Sequence, residues 1–389
     1  MLRILHTADV HLGARHADMG EQAAAQRDRQ FAAFRASVDL AIGEKVDLFL
    51  IAGDLFDSNV QPKRSVERVA SELRRLVDTR IRTVIIPGTH DVFDRASIYR
   101  AYDLKALSGS SADDELVTVL DPDHGDIHLK GIDAVVYGTV FPTKRAPRSP
   151  LEGLTAATDG RAMWKVGLVH GSLAIAGKTD GDEVVVTKKE IGESGLHYLA
   201  MGHWHSTQKG TSQGTTYAYS GAPEPVALDQ DRAGKVLLVT LEPRNGGAAK
   251  VTIDERQVGR TMFEAVEVDA AGVGSQPALI SDLRKRANPD LVLDVRIMGV
   301  RPDELDLDTE EIESQLRESF FRIRVRDRST PVLTEGVLPS QDTIAGAFLR
   351  DIEAQVAELE AAGDAAAASE MRDVLRLGRL LLAGHEVTL

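Results

Sequence analysis

Five short blocks carry most of the acid and imidazole groups with chemical promise: Asp9 with His11, Gly53-Asp54 with Asp57, Gly88 through Thr89 and His90 to Asp91, His170-Gly171, and Gly202 with His203 and His205. Imidazole with carboxylate suits manganese, iron or zinc better than calcium or magnesium alone. Residues two apart leaving a strand point the same way, so Asp9 with His11, and His203 with His205, can each supply two ligands from one turn. A shared carboxylate would let two cations sit about 3.5–4 Å apart, the separation that serves both attacking and leaving oxygens of a phosphoryl transfer. A single histidine at a strand end is more often a surface or hydrogen-bonded residue than a ligand; five such blocks together point to a metal centre. His6, His16, His124, His128, His197 and His385 fall outside the blocks and read as structural or exposed. Asp91 either tunes the site or caps the turn that follows it.

Each block follows a predicted strand. Leu2 to His6, Val46 to Ala52 and Thr83 to Pro87 are apolar runs, separated by helical patterns at Glu21 to Glu44 and Pro62 to Asp78. Pro62 suits a helix start, where its missing donor costs nothing. Further strands are expected at Ala134 to Thr139, Val166 to His170, Tyr198 to Met201, Thr216 to Ser220, Val236 to Leu241 and Val251 to Val258, with Pro243 to Gly247 as a hairpin turn. This is a layered α/β unit with mixed sheets. In such folds the carboxyl ends of neighbouring strands open onto one crevice, where ligands bind.

The chain's 389 residues exceed one ordinary domain core and imply two or three folded units. Hydrophobic residues at 43% and charged residues at 27% describe a packed globular protein. The absence of Cys excludes disulfides, thiolate ligands and a Cys nucleophile, so any metal sits on nitrogen and oxygen. No apolar stretch is long enough to cross a bilayer, and a cytosolic protein is expected. A net charge of -14 argues against coating nucleic acid by bulk electrostatics. It leaves room for local arginine clusters and for the positive charge that metal ions bring.

A boundary is expected near Gly259. Beyond it Phe263 to Val268, Pro277 to Ala287, Leu291 to Met298, Thr309 to Phe321 and Arg322 to Val325 read as strand, helix, strand, helix, strand. From Ser340 the chain turns helical, with an apolar stripe at Ile344, Phe348, Ile352, Val356 and Leu359. Gly363 ends that helix, and Asp364 can cap a second one rich in leucine. The expected domains are therefore 1–259, 260–335 and 336–389.

The five blocks, in their order and spacing, resemble the calcineurin-like metallophosphoesterases, and the whole chain resembles SbcD-type DNA repair nucleases. The resemblance implies a layered β-sandwich flanked by helices, a small α/β capping domain and a C-terminal helical segment. It implies two divalent metals, manganese first among them, with iron, magnesium or zinc as alternatives. The first would take Asp9, His11, Asp54 and His205; the second would take Asp54, His170 and His203, with Asp54 bridging. His90 matches the catalytic imidazole that contacts the scissile phosphate, and Asp57 the position that orients it. One block departs from the family, whose usual Asn is replaced here by Thr89. A threonine hydroxyl is shorter and a poorer neutral donor, so either Thr89 coordinates weakly or a water fills the gap, and the second metal is expected to bind less tightly than the first.

The resembled family hydrolyses DNA as a 3'-5' exonuclease and endonuclease in double-strand-break repair, beside an SMC-like SbcC-type ATPase, and a homodimer is compatible with this. The fold also hosts phosphatases and small-nucleotide phosphodiesterases, so substrate does not follow from chemistry alone. A third reading is a weakly catalytic subunit that binds DNA ends or a partner. Arg322, Arg324, Arg326 and Arg328 alternate along one expected strand and face one side, where they either track a phosphate backbone or protect an edge strand. The C-terminal helices either dock on the ATPase or fold back as a hairpin.

Overall fold

The computed structural model describes residues 1–389 apart from 112–113, 147, 155, 157–159, 161, 176, 178, 180–183, 231, 245–248, 303–304, 332–338 and 383–389, and the side chains of 130, 331, 376 and 380. His385, the centre of the expected 243–247 turn and the expected 335/336 boundary lie outside the described residues. The chain divides into two compact units, Met1–Phe263 and Glu264–Leu389.

The first unit is built on two six-stranded sheets. One runs in the order Ala249–Gln257, Lys235–Pro243, Leu2–Thr7, Leu48–Ala52, Arg82–Ile86, Val117–Val119. The other runs Gln208–Ser212, Thr215–Tyr219, Tyr198–Gly202, Trp164–His170, Ala134–Tyr137, Asp126–Leu129. Four neighbouring strands of each sheet are parallel, and the outer pairings are antiparallel at the Lys235–Pro243, Gln208–Ser212 and Asp126–Leu129 strands. Strands covered on both faces need apolar side chains at every position, and all five residues of Leu48–Ala52 are buried.

Ile4, Leu50, Val84 and Ile86 from one sheet pack against Val166, Leu168, Tyr198 and Ala200 from the other, which makes the sandwich core. The opposite face of the first sheet carries Leu5, Phe49, Ile51 and Ile85 against Phe34, Val38, Val69 and Leu73. Those last four lie on the helices Ala23–Gly43 and Lys63–Asp78. In the second helix Val66, Val69, Ala70, Leu73, Leu76 and Val77 recur at helical spacing and are buried, each large one worth about 1.5–3 kcal/mol of apolar transfer. Pro62 occupies the capping position just before it. The far face of the second sheet packs Val169, Leu199 and Tyr217 against Leu151, Leu173 and Ile191.

In the second unit the strands Met262–Asp269, Asn288–Met298 and Phe320–Asp327 form one sheet, with the helices Gln276–Arg284 and Thr309–Leu316 on one face. Ser275 and Asp308 cap those helices by accepting the amides of Ala278 and Glu311. Phe320 and Phe321 open the last strand instead of closing a helix, because a 3-10 turn at Arg317–Ser319 ends the helix first. The helices Ile344–Ala361 and Ala365–Leu382 form an antiparallel hairpin, tied by the Arg379–Glu353 and Arg372–Glu360 ion pairs. Leu349 and Ile352 are buried there, whereas Ile344 at the first turn is 86% exposed. No helix among the described residues is long and apolar enough to cross a membrane.

Candidate metal centre

All five blocks leave the carboxyl ends of parallel strands, three from the first sheet and two from the second. Backbone bonds tie neighbouring blocks together: Asp9 N–H donates to Gly53 O at 3.1 Å, His11 N–H to Asp54 O at 2.9 Å, and Gly171 N–H to Gly202 O at 3.1 Å. The sheets close tightly at this end, since a Cβ on Gly202 would strike the Ala52 carbonyl. Asp9, His11, Asp54 and His203 adopt left-handed backbone, with φ of 53°, 48°, 51° and 104°. Such conformations cost roughly 1–3 kcal/mol each for a residue with a side chain, and they concentrate where function demands a fixed geometry.

The candidate ligands converge. Asp9 with His11 and His205, and Asp9 with Asp54 and His170, each bring one donor atom per residue within 4.8 Å of one another; His11, Asp57 and His90 do the same. The His203 ring sits 5.3 Å from that of His170, edge to face. His170 donates Nδ1–H to the Ala52 carbonyl at 2.9 Å, which turns Nε2 toward Asp54 Oδ2, 3.3 Å away. That buried Nε2 is not aligned for a hydrogen bond. A second nitrogen fixed on a carbonyl is how metal-binding histidines are usually oriented. Buried carboxylates, imidazoles and an orphaned ring nitrogen make a donor set that fits divalent cations.

The buried charges of this cluster act strongly on one another. Burial and the Asp54 charge push Asp9 up to about 6, partly opposed by His170. Against the upward push of burial, His170 and His11 hold Asp54 far below the usual carboxylate range. Burial would lower His170, but Asp54 and Asp9 raise it to about 10. Burial and the neighbouring His11 push His205 down to about 3. Opposite charges packed this closely favour the ionised forms of Asp54 and His170 together.

The remaining predicted residues are also here. Thr89 Oγ1 lies 3.5 Å from Asp54 Oδ2, and the His90 N–H donates to Asp54 Oδ1 at 2.7 Å. The His90 ring is half exposed and donates Nδ1–H to the main-chain carbonyl of Asp57 at 3.0 Å. The Asp57 carboxylate lies 3.5 Å from His11 Nδ1 and 3.8 Å from His90 Nδ1, between the two rings.

Asp91 is a fully buried brace. It accepts from Gly88 N–H at 2.7 Å, from Phe56 N–H at 3.1 Å and from the Tyr99 hydroxyl at 2.6 Å, so it joins two ligand loops. Tyr99 and Gln230, which contacts His205, carry no motif and were invisible in the sequence. Outside the blocks, His6 bonds Tyr198 between the two sheets at 2.8 Å, His16 bonds Gln30, His124 bonds Asp121 and His197 accepts from Lys165 N–H. In the second unit Arg322, Arg324 and Arg326 share the sheet face away from the helices. Arg324 is exposed, Arg322 is half-buried, and Arg326 reaches buried Asp294 at 3.4 Å.

Two facing mixed sheets, helices on their outer faces and a carboxylate–imidazole pocket at the strand ends define a metallophosphoesterase-like protein. The chain belongs to the calcineurin-like phosphoesterase family, whose pattern matches residues 2–207. It is 30% identical over 287 residues to the DNA double-strand break repair protein Mre11 of Aeropyrum pernix, covering 71% of this chain and 65% of that one. It is 27% identical over 332 residues to the D component of the nuclease SbcCD of Rhodobacter capsulatus, covering 74% and 77%. It is 24% identical over 380 residues to the uncharacterized metallophosphoesterase YhaO of Bacillus subtilis, covering 90% and 87%. The chain spans 65% and 55% of the lengths of the Mre11 proteins of Aeropyrum pernix and Saccharolobus solfataricus.

Proposed function

We propose that this chain is a metal-dependent DNA nuclease of SbcD type, a 3'-5' exonuclease and endonuclease of double-strand-break repair that works beside an SMC-like SbcC-type ATPase. The observation that carries the reading is the meeting of Asp9, Asp54, His11, His170, His203 and His205 at one end of the sandwich. The names of the Mre11 and SbcCD relatives support DNA as the substrate.

On this reading Asp9, His11, Asp54 and His205 hold one ion, and Asp54, Thr89, His170 and His203 hold the other, with manganese the first choice. When bound, such ions supply Lewis-acid charge and a hydroxide nucleophile near neutral pH. The chain's own groups do the rest. His90, fixed through Nδ1 on the Asp57 carbonyl, keeps Nε2 for the scissile phosphate and for a proton to the departing sugar oxygen. The Asp57 carboxylate holds His11 and His90 in place, and Arg324 with Arg322 offers charge to a phosphate backbone.

The test is manganese-dependent hydrolysis of linear duplex DNA, compared with bis(p-nitrophenyl) phosphate and with a chelator control. Cleavage of the small diester alone would move the reading to small phosphate esters. Metal-independent binding of DNA without turnover would make the chain a binding subunit.

A further inference from the structure

Gln230 touches a proposed ligand on the side away from the other donors. Its Nε2 lies 2.6 Å from His205 Nδ1, while its Oε1 accepts the Val226 N–H at 2.9 Å. The Gln230 backbone is pinned as well, by its N–H on Ala227 O and by Ala233 N–H on its own carbonyl. A backbone N–H can only donate, so Oε1 is committed as the acceptor and the amide's NH2 faces the imidazole. That group can only donate, so Nδ1 of neutral His205 is the bare nitrogen and the ring proton sits on Nε2. The next contact agrees with this. His205 Nε2 is 3.1 Å from His11 Nε2, a separation that requires a proton on one of them.

A histidine ligates through a bare nitrogen. With Nδ1 turned to Gln230, Nε2 is the His205 atom that faces His11, and it is the atom that carries the proton. We propose that Gln230 is a positioning residue that holds His205 in the non-ligating tautomer, so that loading this cluster requires the Gln230 amide to turn over. The turned amide accepts Nδ1–H through Oε1 and gives up the Val226 N–H. Nε2 loses one proton and Nδ1 gains one, so none is released in net. The inference rests on the Asp9, His11 and His205 cluster being a metal site. A glutamate at 230 would remove the conflict, because one oxygen can keep Val226 N–H while the other accepts Nδ1–H.

The test joins calorimetric titration of manganese with nitrogen-15 NMR of the histidine rings. Gln230→Glu is expected to tighten one of the two binding events by roughly tenfold to a hundredfold, the range for groups that orient a metal ligand. Unchanged or weaker binding overturns the proposal, and the ring spectrum separates a change of tautomer from the added negative charge of the glutamate. In the metal-free wild-type chain the His205 resonance, assigned by its loss in His205→Gln, is expected to show a protonated Nε2, and zinc is expected to reverse the pattern. A protonated Nδ1 in the metal-free chain would overturn the proposal even if the glutamate variant did not fold. Failure of the wild-type chain to take up any metal would instead sink the metal-site reading, and the metal-free spectrum would still decide the tautomer.

Discussion

The Asp9 carboxylate accepts the backbone N–H of His203 with both oxygens, at 2.9 and 3.1 Å, across 194 positions of sequence. One side chain leaving the first sheet thereby fixes the loop that ends the second. It also holds a residue whose φ of 104° is strained for anything but glycine. Asp9 is at once a proposed ligand and the strut of another.

Asp9→Asn separates those roles, because the amide oxygen still accepts the His203 N–H while the charge is gone. The Asp9 pKa is raised to about 6, so its ionised form is disfavoured in the fold. A raised pKa stabilises below the unfolded value near 3.8, and that contribution is lost as pH rises through about 6. At pH 7.5 with chelator, Asp9→Asn is expected to melt at or above the wild type. With manganese the order is expected to reverse, since only the wild type gains the full binding stabilisation. A chelated variant that melts well below the wild type would show that the charge itself holds the loop.

His90→Ala is expected to lower manganese-dependent DNA hydrolysis by about 10²–10⁴-fold, the range for a general acid. Manganese uptake in calorimetry stays near the wild-type value, because the ring lies half exposed and its backbone N–H, which bonds Asp54, is kept. Full turnover in this variant would remove His90 from the chemistry.

Thr89→Asn restores an amide oxygen beside Asp54, where the threonine hydroxyl stands 3.5 Å off. Wild-type titration is expected to resolve two unequal manganese affinities, and the asparagine variant to bring the weaker closer to the stronger. Two equal, tight sites in the wild type would contradict the role given to Thr89.

Arg324 and Arg326 are expected to part company. Arg324 is exposed, and if it meets a phosphate its change to Ala weakens DNA binding across sequences and reduces the salt slope by about 1. Arg326→Ala leaves buried Asp294 with one fewer cation, Arg296 standing 3.7 Å away. It is expected to cost about 1–3 kcal/mol in urea unfolding. A DNA-binding loss from Arg326→Ala alone, with stability intact, would invert this assignment.

The apolar runs at Leu48–Ala52 and Tyr198–Gly202 were legible because strands buried on both faces leave no charged position to blur them. The helix Lys63–Asp78 was legible because it buries one stripe. Phe320 and Phe321 were misplaced onto a helix, since an aromatic pair between two apolar patterns suits either, and only the 3-10 turn at Arg317–Ser319 separates them. Ile344 was placed on an apolar stripe by its spacing, yet in the first helical turn it is 86% exposed, while Leu349 and Ile352 further along are buried.

What the sequence determined by itself was the donor chemistry and its order along the chain, because residue type and the position after a strand are local properties. Only the tertiary structure decided that Asp91 braces two ligand loops through Gly88, Phe56 and Tyr99, that Gln230 sits behind His205, and that Arg326 answers to Asp294 while Arg324 faces solvent. Each of those pairings joins residues distant in sequence through the register of strands and the paths of loops. A side chain's partner is set by where the backbone delivers both groups, and that delivery belongs to the fold as a whole.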